Sequence, residues 1–299
     1  MHIPDGLWPI LLTPYTENNE IDFAALDSLL EFYHKEGVAG LLALGQASEV
    51  LLLSDDERFA IAEHVARGCK GKLTLATVGN YGTTLAEQAA SLKKIAAYGG
   101  EVAVVGLSLL PSSENLADQL LDLASRLGGI PLGIYELPEP EHRLLSADDV
   151  RRIAESNRFV FMKDTCRQIV PFSAKVEAAR GSNLKLFQAN LKVLPESMAA
   201  GSKGFCGWMP MVSPELCGQL VFSQNTPEEL RQMAYEKLLD FQTLMVAEGF
   251  PSSAKYILAK RGVMIKPYSR VAAAKDFSEM SPSRIDAFIA KQRPFEAIH

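Results

Sequence analysis

Two side chains in this sequence have the chemistry and the surroundings for covalent catalysis on a carbonyl compound. Lys163 follows the apolar run FVFM in the segment FMKDTC, and Tyr135 follows LGI in GIYELP. A lysine amine attacks a carbonyl carbon only when uncharged, and burial among apolar groups lowers its pKa toward that state. A phenol nearby can pass the protons that carbinolamine dehydration and C–C cleavage require. Each residue alone has a plain alternative: Lys163 as a solvated lysine at a loop start, Tyr135 as a core tyrosine with its hydroxyl at the surface. On neighbouring strand ends the two together are worth more than either separately. A third feature is the loop Gly45-Gln46-Ala47-Ser48-Glu49, whose small residues let backbone N–H groups approach a carboxylate. Taken alone the signal is weak, and such a segment is more often just a loop.

These residues need elements that bring them together. Short apolar, β-rich runs recur about every 25–35 residues, each followed by an amphipathic helical pattern, which is the signature of βαβ units. Strands are expected at Trp8–Thr13, Gly40–Leu44, Leu73–Val78, Val102–Leu107, Leu132–Leu137, Phe159–Lys163, Leu184–Gln188 and Gly204–Trp208. Several are continuously apolar (LLAL, VAVVG, FVFM), as parallel strands covered on both faces are. Asp22, Ser54 with Glu57, and Ser146 mark helix starts, and Gly37, Gly99 and Gly100 sit where helices end.

Eight such pairs fit a closed (β/α)8 TIM barrel better than an open sheet, and no GxGxxG follows the first strand. Reactive groups then belong on the loops at the carboxyl ends of the strands. Alternation along the sixth strand puts Phe161, Lys163 and Thr165 on one side and Met162 and Asp164 on the other. Asp164 is therefore expected as a structural partner on the outer face. Residues 1–225 are expected to form the barrel, and 226–299 a three-helix carboxyl-terminal segment packed on it.

Composition narrows the function classes. The 299 residues are 47% hydrophobic and 22% charged, enough to build a large core. A formal net charge of −6 argues against a nucleic-acid surface, which needs clustered Lys and Arg. Cys69, Cys166, Cys206 and Cys217 form no CxxC pair and the histidines are scattered, so neither a zinc site nor a disulfide framework is expected. With no basic, apolar leader and no run of the roughly 18 apolar residues a span needs, a cytoplasmic protein without membrane partners is expected.

The order LWPILLTPYTENNEIDFAALDSLLEFY, GVAGLLALGQASEVLLLSDDER, GIYELP and FMKDTC resembles the N-acetylneuraminate lyase and dihydrodipicolinate synthase superfamily, and AKYILAKRGVMIKPYSRV continues the likeness. The resemblance implies a TIM barrel with a helical tail, assembled as a homotetramer (a dimer of dimers) or a homodimer. It implies Lys163 as the Schiff-base lysine and Tyr135 as the proton-shuttling tyrosine of a Y-N-x-P motif. Gly45 and Glu49 match the ends of a G-[ST]-T-G-E loop that grips the substrate carboxylate.

The departures cluster at the substrate end. Gln46 and Ala47 replace the loop's two hydroxyl residues, and Ser48 replaces its second glycine. Leu107 and Ser108 replace the synthase's aromatic pair. Pro140 stands where the synthase has an arginine, leaving Arg143 three residues on. Gln188 replaces a glycine, with Asn190 close by, and Trp208 and Phe205 are expected chiefly as core. Gln46, Ser108, Gln188 and Asn190 suit a polyhydroxylated or neutral substrate portion. The expected substrate-binding set is Gly45, Gln46, Ala47, Ser48, Ser108, Gln188 and Cys206. The expected function is a Schiff-base lyase, aldolase or dehydratase, for a 2-oxo acid such as pyruvate or a 2-keto-3-deoxy sugar acid, with no metal and no cofactor. Alternatives are a barrel that only binds or senses such an acid, and a true dihydrodipicolinate synthase.

Overall fold

Strands alternate with helices from Gly6 to Phe205, and only helices follow, in the computed structural model, which describes residues 3–111, 115–222, 224, 226–271 and 280–296. The strands are β1 (Gly6–Leu7), β2 (Gly40–Ala43), β3 (Thr74–Val78), β4 (Val102–Gly106), β5 (Leu132–Tyr135), β6 (Phe159–Asp164), β7 (Lys185–Gln188) and β8 (Gly204–Phe205). The intervening helices are α1 (Phe23–Lys35), α2 (Asp55–Cys69), α3 (Leu85–Ala97), α4 (Leu116–Arg126), α5 (Ala147–Glu155), α6 (Ile169–Ala178) and α7 (Leu194–Ala199). All strands run parallel in the order β1-β8-β7-β6-β5-β4-β3-β2. The seam closes where Ala39 N–H donates to Leu7 O (2.9 Å) and Leu42 N–H to Pro9 O (3.0 Å). The sheet is thus a (β/α)8 barrel.

The first and eighth strands are shorter than their sequences suggest. Pro9 has no N–H to give the ladder, so beyond Leu7 the expected Trp8–Thr13 strand keeps one isolated bridge, Ile10 with Leu42. Past Phe205 the chain turns into α8 (Met209–Val212) and α9 (Pro214–Val221), and Trp208 caps a helix instead of ending a strand. The helix starts form as expected. Asp22 accepts from Ala25 N–H, and Ser54–Glu57 and Ser146–Asp149 close reciprocal capping boxes.

Alternation along the strands sorts side chains between two apolar layers. Inside the barrel, Trp8, Phe161 and Phe187 form an aromatic plug with centroid separations of 5.1, 5.5 and 5.0 Å. Gly40 makes room for it: a Cβ there would lie 2.5 Å from the Trp8 ring and 2.7 Å from the Thr74 carbonyl oxygen. Outside, Leu132, Ile134, Phe159 and Met162 pack with α4 and α5.

Three further helices follow, α10 (Glu228–Ala247), α11 (Ser252–Lys260) and α12 (Pro282–Gln292), with Phe241 stacked on Phe288 at 5.3 Å. Their link to the barrel is ionic as well as apolar. Lys255 of α11, with no exposed surface, reaches Glu49 at 2.7 Å and donates to Tyr268 O, while Ser269 Oγ and Arg270 N–H donate to the other Glu49 oxygen. Glu49 holds a left-handed backbone (φ +60°) between two 3-10 turns, so this cluster fixes the shape of the loop after β2. Replacing Lys255 by Met strands a buried carboxylate, and Lys255→Met is expected to lose about 3–5 kcal/mol of unfolding free energy in urea titrations. A loss under about 1 kcal/mol would contradict this role for the pair.

Candidate active site

Tyr135 and Lys163 meet because of the register between β5 and β6. Leu132 lies opposite Phe159, but Gly133 lies opposite Phe161, so Val160 is an extra residue and every pair beyond it is shifted by one. Without that bulge Tyr135 would face Met162, which points outward. With it, Tyr135 faces Lys163 and both point inward. The Lys163 ammonium nitrogen sits 4.3 Å from the centroid of the Tyr135 ring, and both residues are 2% exposed.

The amine lies above the aromatic plug, since Phe161 shares its face of β6. Burial lowers the Lys163 pKa to about 8, partly offset by the neighbouring Cys206. Burial likewise raises Cys206 to about 11, so this thiol beside the amine is neutral at neutral pH. The Tyr135 phenol is raised by burial and accepts a hydrogen bond from the backbone N–H of Gln46. The loop after β2 thereby reaches the phenol, and Gly45 packs within 3.6 Å of the Tyr135 ring measured from the position a Cβ would take.

Above the pair opens a cavity of about 410 Å³, within the range of small-molecule sites. Gln46, Thr165, Asn190 and Gln242 give it amide and hydroxyl groups, Arg167 and Lys192 give it cations, and Trp208, Pro138 and Leu191 give it apolar wall. The Thr165 hydroxyl donates to Glu136 O (2.6 Å), so His142 Nε2 is the donor in the 2.8 Å bond between ring and hydroxyl.

Of the expected substrate-binding set, Gln46 lines this cavity and Gly45 and Ala47 belong to the loop that carries it. The other four, Gln188, Ser48, Ser108 and Cys206, lie outside its lining, which corrects the expectation. Gln188 follows inward-facing Phe187, so it points outward: its Nε2 donates to Ser197 Oγ and its Oε1 accepts from the N–H groups of Ala189 and Asn190. Ser48 spends its hydroxyl on Leu11 O and on the Gly45 N–H, and its own N–H on Gly45 O. Ser108 turns to Glu139 O. Cys206 is fully buried beneath the cavity wall. Arg143 does not fold back toward substrate; its Nη1 donates to the carbonyls of Leu107, Leu110 and Pro111. Trp208, expected chiefly as core, is a cavity wall stacked on Phe250 at 4.4 Å.

Sequence reasoning missed Arg167, Lys192 and Gln242. Arg167 stands four residues past Lys163 on the same βα loop, and Lys192 two past Asn190, so the barrel rule applied to whole loops would have found both. Gln242 comes from α10, and no local pattern points it at the cavity.

The family model described as "Dihydrodipicolinate synthetase family" matches residues 4–283. The chain belongs to this family. Dihydrodipicolinate synthetase relatives include the 4-hydroxy-tetrahydrodipicolinate synthase of Bradyrhizobium diazoefficiens, 25% identical over 261 residues and 86% of each chain. Family folds match closely: the dihydrodipicolinate synthase of Thermotoga maritima aligns with a TM-score of 0.84 at 18% identity, covering 98% of this chain and 99% of that one. A prophage protein of the family from E. coli K12, solved in complex with pyruvate, aligns at 0.82 and 18%, covering 97% and 99%. The family is one of dihydrodipicolinate synthetase-type lyases.

On the outer side of the same two strands, Glu136 and Asp164 flank the Lys175 ammonium of α6 at 2.5 and 2.7 Å, all three buried. Burial and Asp164 push the Glu136 carboxyl up to about 7. Removing the ammonium takes away the cation that lowers the Glu136 pKa, so this carboxyl rises further and the resulting deficit grows as pH climbs through its pKa and shrinks below it. Lys175→Met is expected to lose about 3–5 kcal/mol at pH 7 and clearly less at pH 5 in urea unfolding. An equal loss at both would mean the ammonium serves packing alone.

Proposed function

We propose that this protein is a Schiff-base lyase acting on a 2-oxo acid, with Lys163 as nucleophile and Tyr135 as proton carrier. The observation that carries this reading is a dry amine, pKa about 8, held 4.3 Å from the centroid of a phenol ring at the carboxyl end of the barrel. The neutral amine adds to the ketone carbon, forming a C–N bond and an alkoxide that takes a proton. The phenol protonates the carbinolamine oxygen, which leaves as water, and the C=N bond forms. The protonated imine then draws electrons from C3. Either the C3–C4 bond breaks as the Tyr135 phenolate takes the C4 hydroxyl proton and a carbonyl forms, or the phenolate takes a C3 proton and passes it to the C4 hydroxyl, which leaves as water. Tyr135 returns a proton to the resulting enamine in the cleavage route, and water releases the amine. The iminium supplies the electron sink, so the chemistry asks for no cofactor.

The loop after β2 is assigned to the carboxylate. Ser48 and Glu49 N–H groups close the turn on Gly45 and Gln46 carbonyls, and Gln46 N–H serves the phenol, so the Ala47 N–H takes the carboxylate role. In the E. coli prophage relative the ligand is pyruvate, which fits this class. Synthase activity of the kind named for the curated relatives is disfavoured here. Leu107 and Ser108 offer no phenol, and Arg143 is committed to backbone carbonyls. Assembly as a homotetramer or homodimer is part of the same proposal and is read by sedimentation.

Incubation with pyruvate or a 2-keto-3-deoxy sugar acid and borohydride is expected to add a reduced adduct at Lys163, located by peptide mass. The rate should rise with pH and level off above about 8, where the amine has lost its proton. Tyr135→Phe should slow trapping by about 10²–10⁴. Absence of any adduct at Lys163 across these acids would defeat the proposal in favour of a barrel that only binds its acid.

A further inference from the structure

The polar groups around the cavity are unbalanced in charge. Its lining includes the cations Arg167 and Lys192 and, among the described residues, no aspartate or glutamate, in a chain whose formal net charge is −6. Glu139 acts on the Tyr135 phenol but does not line the cavity. Other exposed arginines nearby in sequence are engaged: Arg151 with Asp148, Arg152 with Asp118, Arg180 with Glu177. Arg167 and Lys192 pair with no carboxylate among the described residues. They stand on the loops after β6 and β7, and Arg167 does so from a left-handed backbone (φ +61°). The Arg167 charge is felt locally: burial first and then Arg167 lower the His142 pKa. Two like charges left without partners at the mouth of one cavity repel each other and gain when an anion enters between them.

We infer that the substrate carries a second anionic group, remote from its 2-oxo acid end, and that Arg167 and Lys192 receive it. The inference rests on the Schiff-base reading of the floor of the same cavity, where Ala47 takes the first carboxylate and Lys163 the ketone. It replaces the neutral, polyhydroxylated tail that Gln46 and Asn190 alone would suit. Those two, with Thr165 and Gln242, then serve hydroxyl groups between the two anionic ends. A carboxylate and a phosphate ester share the chemistry, and Arg167 can bind either through its fork of N–H donors.

The test uses matched acids that differ only at the far end: 2-oxoglutarate against 2-oxopentanoate, and 2-keto-3-deoxy-6-phosphogluconate against 2-keto-3-deoxygluconate. Half-saturation of borohydride trapping is measured for each at low ionic strength. The charged member of at least one pair is expected to saturate about tenfold lower or better, and which pair shows the larger ratio tells carboxylate from phosphate. Arg167→Gln and Lys192→Gln should each collapse that ratio, and Arg167→Lys should retain most of it. Lys70→Gln, which removes one charge where α2 leads into the opposite end of the barrel, should leave the ratio intact. Raising KCl from 50 to 500 mM should shrink the ratio. Equal half-saturation within both pairs would overturn the inference, as would a ratio that survives both glutamine variants or falls equally in Lys70→Gln. Pyruvate, which has no far end, reports the Schiff-base step separately. If it fails to trap, titration calorimetry on the same four acids reads the second anion without any covalent step.

Discussion

An ammonium group avoids an apolar interior, yet the barrel places Lys163 where water is nearly absent. Lowering its pKa from 10.5 to about 8 costs the fold on the order of 3 kcal/mol near neutral pH. Much of the surrounding architecture bears on that placement. Trp8, Phe161 and Phe187 fill the barrel below the amine, Gly40 concedes space to the indole, and the extra residue Val160 sets the register that turns Lys163 and Tyr135 toward each other. The same desolvation that destabilises the charge leaves the lone pair available for a carbonyl carbon.

The sheet divides labour between its two faces. At the ends of β5 and β6 the inner residues are Tyr135 and Lys163, and the next residue of each strand, Glu136 or Asp164, points outward. The outer pair closes on Lys175 as a fully buried ionic clamp, which holds α6 to both strands at the level of the inner pair. A second buried pair, Glu49 with Lys255, holds the loop after β2 to the carboxyl-terminal helices. On the proposed chemistry, both are placed where a displacement of about 1 Å would separate the amine from the phenol or a loop amide from the substrate carboxylate. In this view the buried charges secure position more than stability.

The fold was readable because parallel strands covered on both faces write themselves as apolar runs, and because side-chain caps such as Asp22 and Ser54 announce helix starts. Alternation put Lys163 and Asp164 on opposite faces of β6, and the register with β5 shows that Lys163 takes the inner one. What escaped had nonlocal causes. Gln188 was expected at the substrate because it stands at a family glycine near the end of the seventh strand, but it is one residue past inward-facing Phe187 and so belongs to the other face. Ser48 offered a hydroxyl whose partner, Leu11 O, lies 37 positions away and could not be foreseen. Gln242 reaches the cavity only because α10 folds back over the barrel, and Lys175 is recognisable as a clamp only when two strands and a helix are in place.

The account turns on the proton affinity of one amine, and carbon-13 NMR of the lysine Cε resonances reads it directly. With Lys163 assigned by its absence in Lys163→Met, titration of the ligand-free protein is predicted to show this resonance moving with a midpoint near 8, while surface lysines titrate above 10. A Lys163 midpoint among those of the surface lysines would contradict the central claim, for the amine would then be hydrated and charged at the pH where it is said to react.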